Sequence, residues 1–166
     1  MAVQAGLIKP SVLASALQSS VRAINDVRLV GLDVSKSVIG IALSDASFTF
    51  ATPLTTIKRS KFNSDADFLR LKDALSGHGH VGGIVIGWPL AFGGKMDESC
   101  FTVKKFADAL IKYNPEWPVT LWDERGTSLQ AKELIGQGRK KSQPYDNIAA
   151  MLMLQRYLVE HFPQAR

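Results

Sequence analysis

The stretch Gly31-Leu32-Asp33-Val34-Ser35-Lys36-Ser37-Val38-Ile39-Gly40-Ile41-Ala42-Leu43 decides how the fold is interpreted. Apolar runs on both sides of Ser35-Lys36-Ser37 predict a strand, a tight turn and a returning strand. Asp33 stands at the end of the first apolar run, where a carboxylate is costly to bury unless a cation or hydrogen-bond donors compensate it. We therefore take Asp33 as the first candidate functional residue.

Acidic residues also adjoin two later apolar segments. Asp123 and Glu124 close one of them, and Asp146 opens another. Ala149 and Ala150, one turn after Asp146, have small side chains that should let a helix in this segment approach the sheet closely and carry Asp146 toward the other acids. Carboxylates brought together repel each other, so a divalent cation is their natural partner. The pattern predicts a metal site built from Asp33, Asp123, Glu124 and Asp146.

Composition restricts the class of protein. The 166 residues suit one domain with a proper core, and the 46% hydrophobic content argues against extended disorder. No apolar stretch approaches the roughly 20 residues needed to span a bilayer, so we expect no membrane partner. The single cysteine, Cys100, excludes an intramolecular disulfide and fits a reducing compartment. The formal charge of +5 is compatible with a polyanionic partner but is modest.

Residues 1–26 are predicted to form an N-terminal extension, and residues 27–166 one domain. The extension contains frequent serines, the basic residues Lys9 and Arg22, and the single acid Asp26. Two interpretations stay open: an organellar transit peptide, for a plastid or a mitochondrion, or an extra surface helix over Val12–Ile24. We expect a cytoplasmic protein, with an organelle as the alternative.

Hydrophobic periodicity predicts an α/β fold with a mixed five-stranded sheet flanked by helices. Pro53 predicts an edge or a bulge in the third strand, and the last helix is apolar nearly all round, which predicts burial. Three strands should form an antiparallel meander, and two should extend the sheet in parallel. The predicted strands are Val27–Asp33, Val38–Ser44, Phe48–Ile57, Val81–Gly87 and Val119–Asp123, and the predicted helices are Ser64–Ser76, Asp97–Tyr113, Ser128–Gln137 and Tyr145–Phe162.

Several blocks of sequence, in this order and spacing, resemble the YqgF/RuvX family of RNase H-like proteins. Members are described as Holliday junction resolvases and as nucleases that mature precursor 16S rRNA. The resemblance covers about residues 27–162. The blocks are Gly31-Leu32-Asp33-Val34-Ser35 with Ile39-Gly40-Ile41-Ala42, Pro53-Leu54, Ile84-Val85-Ile86-Gly87-Trp88-Pro89-Leu90, Asp123-Glu124-Arg125-Gly126-Thr127-Ser128, and Lys141 with Asp146-Asn147-Ile148-Ala149-Ala150.

The resemblance implies an RNase H-like fold and a divalent-metal nuclease that uses Mg²⁺, with Mn²⁺ as a substitute. Asp33, Glu124 and Asp146 match the family's acidic triad, and Asp123 matches the acid beside its middle member. The sequence departs from the family at two positions. Ser35 stands where glycine is usual, and Gly126 stands where leucine is usual.

Basic residues near the predicted acids are candidates for contact with a phosphate backbone, each contact adding salt-dependent affinity. A solvated surface charge is the alternative for every one of them. The segment Lys58-Arg59-Ser60-Lys61 has the same ambiguity and lies farther from the acids in the predicted fold. The candidates are Lys36, Arg125, Arg139, Lys140 and Lys141.

Three functions are compatible with this pattern. The leading one is a metal-dependent nuclease that hydrolyses phosphodiester bonds in branched DNA or structured RNA. A non-catalytic nucleic-acid-binding module is the second. An actin/hexokinase-like phosphotransferase is the third, although such enzymes close two domains over a nucleotide and this chain has room for one. Junction cleavage would favour a homodimer, whose symmetry gives two paired nicks.

Overall fold

The computed structural model describes residues 6–20, 25–89, 96–123 and 145–164. The predicted helix Ser128–Gln137 lies outside them. In chain order the described elements are α1 (Pro10–Ser20), β1 (Val27–Val34), β2 (Val38–Ser44), β3 (Ala51–Lys58), α2 (Ser64–Leu75), β4 (His80–Trp88), α3 (Glu98–Tyr113), β5 (Val119–Asp123) and α4 (Asp146–His161).

The five strands form one mixed sheet in the order β3-β2-β1-β4-β5. β2 runs antiparallel to both β1 and β3, whereas β4 runs parallel to β1 and to β5. The predicted meander with two parallel strands is therefore confirmed. β3 lies at the edge, and its register with β2 shifts where Ala42 faces Pro53. Proline cannot donate to a strand ladder, which explains both features.

Alternating side chains of the strands divide the core between the two faces of the sheet. Val30 and Leu32 of β1 point to the face that α2 and α3 cover, and both are fully buried. Leu29 of the same strand points to the face that α1 and α4 cover. Each side chain of this size contributes about 1.5–3 kcal/mol when it leaves water, so both helical layers hold the sheet.

Helix α1 is part of this core. Leu13 and Leu17 are buried against the start of β4, where a Cβ on Gly83 would lie 2.6 Å from the Leu13 Cδ1 and one on Gly82 would lie 2.8 Å from the Leu17 Cδ2. The hydroxyl of Tyr157 in α4 donates to the Pro10 carbonyl at 2.7 Å. The described helix begins at Pro10, two residues before the Val12–Ile24 expected from sequence, and residues 21–24 lie outside the described part of the chain.

Helix α4 is largely buried, as its nearly all-apolar sequence predicts. Ala150, Met153 and Tyr157 are fully buried against the sheet, whereas Val159 on the other side is 49% exposed. Only Arg156, Val159 and Glu160 of this helix are exposed, so the expectation of a largely buried helix is confirmed. No helix in the described part of the chain is long and apolar enough to cross a bilayer.

Candidate active site

Asp33 lies one residue before the end of β1 and is directly paired with Gly40 of β2. Side chains alternate between the two faces along a strand, so Asp33 shares the α4 face with Leu29 and Gly31, whereas Leu32 points to the other face. Its side chain is partly buried. The carboxylate therefore lies at the carboxyl end of a central strand, where ligands bind in open α/β sheets.

Gly40 lets the start of α4 reach the sheet beside Asp33. A Cβ at Gly40 would lie 2.1 Å from the carbonyl oxygen of Asp146 and 2.2 Å from its carbonyl carbon. Residues directly opposite in an antiparallel pair have Cβ positions about 4.5–5.5 Å apart and on the same face. The backbone of Asp146 thus packs on the cross-strand neighbour of Asp33, and the structure brings these two predicted acids together.

Small side chains and one amide hold α4 in this position. Ala149 and Ala150 are fully buried, and a Cβ on Gly31 would lie 3.1 Å from the Ala150 carbonyl oxygen. Gln155 accepts a hydrogen bond from the Ala51 amide at 2.8 Å and donates one to the Thr49 carbonyl at 3.0 Å. The alanines were expected from sequence to allow close approach, whereas the role of Gln155 was missed, because nothing local marks its partners.

Burial raises the pKa of the Asp146 carboxyl, and a hydrogen bond with its own backbone offsets this only in part. The ionised form is disfavoured at this position because burial removes the carboxylate from water. Carboxylates at neighbouring positions, here Asp33 and Asp146, provide the hard oxygen donors that divalent cations such as Mg²⁺ prefer. The side chains present therefore fit a divalent metal.

The described residues contain no cluster of three or more possible metal-ligating side chains. Asp33 and Asp146 are two of the predicted ligands, and the third, Glu124, lies outside the described residues. So do Arg125, Arg139, Lys140 and Lys141 and the unusual Gly126. Their proposed roles stay predictions.

Asp123 lies on the other side of the sheet. It ends β5 and pairs with Trp88, which packs with the α2/α3 core. Its neighbour Trp122 points to the opposite face, where its ring lies 5.6 Å from that of Tyr157. Alternation along β5 thus directs Asp123 away from the face of Asp33. Its role as a metal ligand stays a prediction that this register does not favour.

The turn between β1 and β2 closes without the glycine usual in the resembling family. The Ser35 hydroxyl accepts from the Val38 amide at 3.1 Å and donates to the Val38 carbonyl at 3.0 Å. Ser35 is not among the described residues with positive φ, so a side chain is tolerated there. Lys36 follows it in the turn and forms an exposed ion pair with Glu98 of α3.

Two buried polar atoms near the acids have no hydrogen-bond partner within the described parts of the chain. They are the indole Nε1 of Trp122 and the side-chain Oδ1 of Asn147. Asn147 directly follows Asp146, and Trp122 lies on the Asp33 face of the sheet. Neither atom could be identified from the sequence, because their burial depends on how α4 meets the strands.

A mixed sheet in the order β3-β2-β1-β4-β5, with carboxylates at the end of its first strand and the start of its last helix, has the architecture of RNase H-like proteins. This is the class that the sequence resemblance implied. The chain belongs to the RuvX family, described as Holliday junction resolvase, whose sequence model matches residues 27–160.

Curated relatives carry a name for an RNA enzyme. A protein of Paramagnetospirillum magneticum is 38% identical over 134 residues, which is 78% of this chain and 84% of the relative. Another, from Thermoanaerobacter pseudethanolicus, is 38% identical over 136 residues, or 79% and 95% of the two chains. Both are named "Putative pre-16S rRNA nuclease".

Solved structures with a similar backbone include Holliday junction resolvases. Thermus thermophilus RuvC in complex with a Holliday junction substrate has a TM-score of 0.49 and 13% identity, covering 84% of this chain and 98% of that one. The yeast mitochondrial Holliday junction resolvase Ydc2 has a TM-score of 0.47 and 10% identity, covering 94% of each chain.

Proposed function

We propose that this protein is a divalent-metal-dependent nuclease that hydrolyses phosphodiester bonds in structured nucleic acid. The observation that carries the proposal is the packing of the Asp146 backbone on Gly40, the cross-strand neighbour of Asp33. This contact joins two acids that are 113 positions apart in the chain. Membership of the RuvX family and the names of the curated relatives support the same reaction class.

Asp33 and Asp146, together with Glu124, would hold the metal, and Mg²⁺ suits such an oxygen-only donor set, with Mn²⁺ as a substitute. When bound, the metal supplies Lewis-acid activation of water and stabilisation of the leaving oxygen. The protein's own contribution is geometric. β1 is a central strand and Gln155 ties α4 to Ala51 at the start of β3, so the backbone positions that carry the two carboxylates are fixed relative to each other.

Support for a particular substrate comes from the comparisons and not from the site geometry, and it points to two candidates. The curated relatives favour a structured precursor of ribosomal RNA, whereas the family description favours four-way DNA junctions. A symmetric homodimer would be required for paired cuts in a junction and would not be needed for trimming RNA. Sedimentation velocity with and without each substrate separates these two modes of action.

A cleavage assay tests the proposal. Wild type, Asp33→Asn and Asp146→Asn are offered labelled four-way DNA junctions, duplex DNA and structured precursor rRNA, with Mg²⁺, Mn²⁺ or EDTA. We expect metal-dependent cleavage by wild type that falls at least about 100-fold in both variants, while circular dichroism shows them folded. Cleavage of no substrate, or cleavage unchanged in both variants, would contradict the proposal and favour a non-catalytic binding module.

A further inference from the structure

An open cavity of about 670 Å³ lies on the α2/α3 side of the sheet. Its walls come from the β1–β2 turn, the segment between β3 and α2, and the middle of α3. Pockets of about 300–1,000 Å³ hold ligands of drug size, so a nucleotide unit fits such a volume. Its charged and aromatic lining includes Lys36, Arg59, Lys61, Phe62, Asp67 and Lys105.

The cavity carries an excess of positive charge. Its one lining carboxylate, Asp67, is 1% exposed and is already engaged. It accepts a hydrogen bond from the Ser60 amide at 2.7 Å and forms a 3.5 Å ion pair with Arg59. Arg59 also donates to the Ser35 carbonyl at 2.9 Å and lies over the Phe106 ring. Arg59 and Asp67 thus build the wall, and the lysines are left to meet a ligand.

Three lysines are available at the rim. Lys61 and Lys105 are exposed, and neither forms an ion pair within the described part of the chain. Lys36 pairs with Glu98, but both side chains are well exposed, and such pairs contribute only about 0–1 kcal/mol. A phosphate can therefore recruit all three ammonium groups at little cost to the fold.

Phe62 adds an aromatic surface to this rim. Its side chain is 97% exposed, although an aromatic ring gains most by burial. Exposed rings beside a basic groove are the combination with which proteins bind single-stranded nucleic acid, because each base stacks on the ring while cations follow the backbone. Phe62 lies next to Lys61 in sequence and lines the same cavity.

The cavity and the candidate acids flank the same turn. Lys36 lines the cavity and lies three residues after Asp33. Asp33 lies on the α4 face at the end of β1, with the start of α4 packed beside it, and the cavity occupies the α2/α3 face of the same region. A nucleic-acid strand that passes across the β1–β2 turn would contact both sites.

We propose that this cavity binds the phosphate backbone of a single-stranded segment of the substrate, with one base stacked on Phe62. Lys36, Lys61 and Lys105 contact the phosphates, and Arg59 shapes the wall. The site lies apart from the acids, so it contributes affinity and register rather than bond cleavage. The proposal rests on the proposed function, since it assigns to the same protein a second contact with its substrate.

Salt-dependent binding in EDTA, where no metal-dependent cleavage occurs, tests the lysines. A labelled single-stranded oligonucleotide is titrated with wild type, Lys61→Ala/Lys105→Ala and the control Lys9→Ala/Lys112→Ala, which removes the same charge from residues that do not line the cavity. Each lost phosphate contact reduces the slope of log K against log salt by about 0.7. We expect a slope smaller by about 1.4 in the cavity variant and unchanged in the control. Equal slopes in all three proteins, or no binding by wild type, would overturn the proposal.

The aromatic contact has a separate test. Phe62→Ala should bind the oligonucleotide at least about fivefold more weakly, whereas Phe62→Trp should bind like wild type. Equal binding by Phe62→Ala would overturn the stacking contact. Cleavage by wild type, measured in parallel, keeps the two proposals distinct. If wild type cleaves substrate but the salt slopes of all three proteins are equal, only the cavity proposal is overturned. If wild type does not cleave but the cavity variant has the smaller slope, only the nuclease proposal is overturned.

Discussion

Gly40 has a position that no other residue can fill without moving α4. A Cβ there would overlap the Asp146 carbonyl group, and the neighbouring atoms are backbone that cannot turn away. We predict that Gly40→Ala displaces the start of α4, abolishes nuclease activity and lowers the free energy of unfolding by about 1–3 kcal/mol. Urea denaturation and cleavage assays at a temperature where the variant is folded measure both effects.

Gly83→Ala is the matched control for this substitution. Its Cβ would lie 2.6 Å from the side chain of Leu13 in α1, on the same sheet face but away from the acids. It should reduce stability by a similar amount and leave the activity of the folded protein unchanged. Equal loss of activity in both variants would show that Gly40 has only a general packing role.

Asp45 stabilises the turn after β2 through its ionised carboxylate. The carboxylate accepts hydrogen bonds from the amides of Thr49 and Phe50, at 2.7 and 3.0 Å, and from the Ser47 hydroxyl at 2.7 Å. Partial burial acts to raise the pKa of Asp45, but these hydrogen bonds outweigh it, and the pKa lies below its ordinary value of 3.8.

The lowered pKa of Asp45 predicts pH-dependent stability. A carboxyl group whose pKa is lower in the folded than in the unfolded protein adds to the free energy of unfolding. This contribution is complete at a pH above the unfolded-state pKa and is lost as the pH falls through the folded-state pKa. Asp45→Ala should therefore cost about 1 kcal/mol at pH 7, a value kept small by solvent screening, and almost nothing well below pH 3.8. Unfolding by urea at several pH values, with the exposed Asp73→Ala as control, measures this; a pH-independent difference would contradict it.

At the scale of elements, helix α1 is the segment whose contribution is easiest to isolate. Leu13 is 1% exposed and Val12, beside it, is 49% exposed. Removing a buried leucine side chain leaves a cavity and typically costs about 2–5 kcal/mol. We predict a loss in this range for Leu13→Ala and less than about 0.5 kcal/mol for Val12→Ala. Urea denaturation measures both free energies of unfolding. If Leu13→Ala lost as little as Val12→Ala, α1 would not be packed on the core in solution.

The sequence predicted the sheet well because its strands have clear apolar runs between turn residues. Val38–Ser44 and Val119–Asp123 were predicted with the bounds observed. The third strand was expected from Phe48 but begins at Ala51. Hydrogen bonds to the Asp45 carboxylate form a turn over the residues that follow it, and this turn outweighs their strand propensity. Within the turn, Phe48 has a φ of 55°.

Candidate site residues were predictable where the signal is local and not where it depends on pairing. An acid ending an apolar run identified Asp33, and two alanines after Asp146 predicted the close approach of its helix. The face of Asp123 depends on the register of β5, which the sequence did not provide. Likewise, Lys36, Lys61 and Lys105 are distant in sequence, and only the tertiary fold places them around one cavity.

At the scale of the whole molecule, the two sides of the sheet have different roles. On the α4 side, small residues bring the backbone close and place carboxylates at the end of β1. On the α2/α3 side, larger side chains fill the core and leave a basic cavity beside the same turn. A polyanion is attracted by the second side and would be repelled by the first unless a cation neutralises it. Metal binding should therefore be coupled to stability as well as to activity.

This coupling gives a prediction that does not depend on knowing the substrate. A metal that binds only the folded protein stabilises it by about 1.4 kcal/mol at ten times its Kd, or about 3–5 °C in Tm for a chain of this size. We expect Mg²⁺ to raise the Tm of wild type by this amount and to leave Asp33→Asn/Asp146→Asn unchanged. Without metal, the double variant should be at least as stable as wild type, because burial already disfavours the charge on Asp146. Thermal unfolding in EDTA, in MgCl₂ and in NaCl of equal ionic strength separates binding from screening. An equal rise of Tm in wild type and double variant would show that these two carboxylates do not hold the metal.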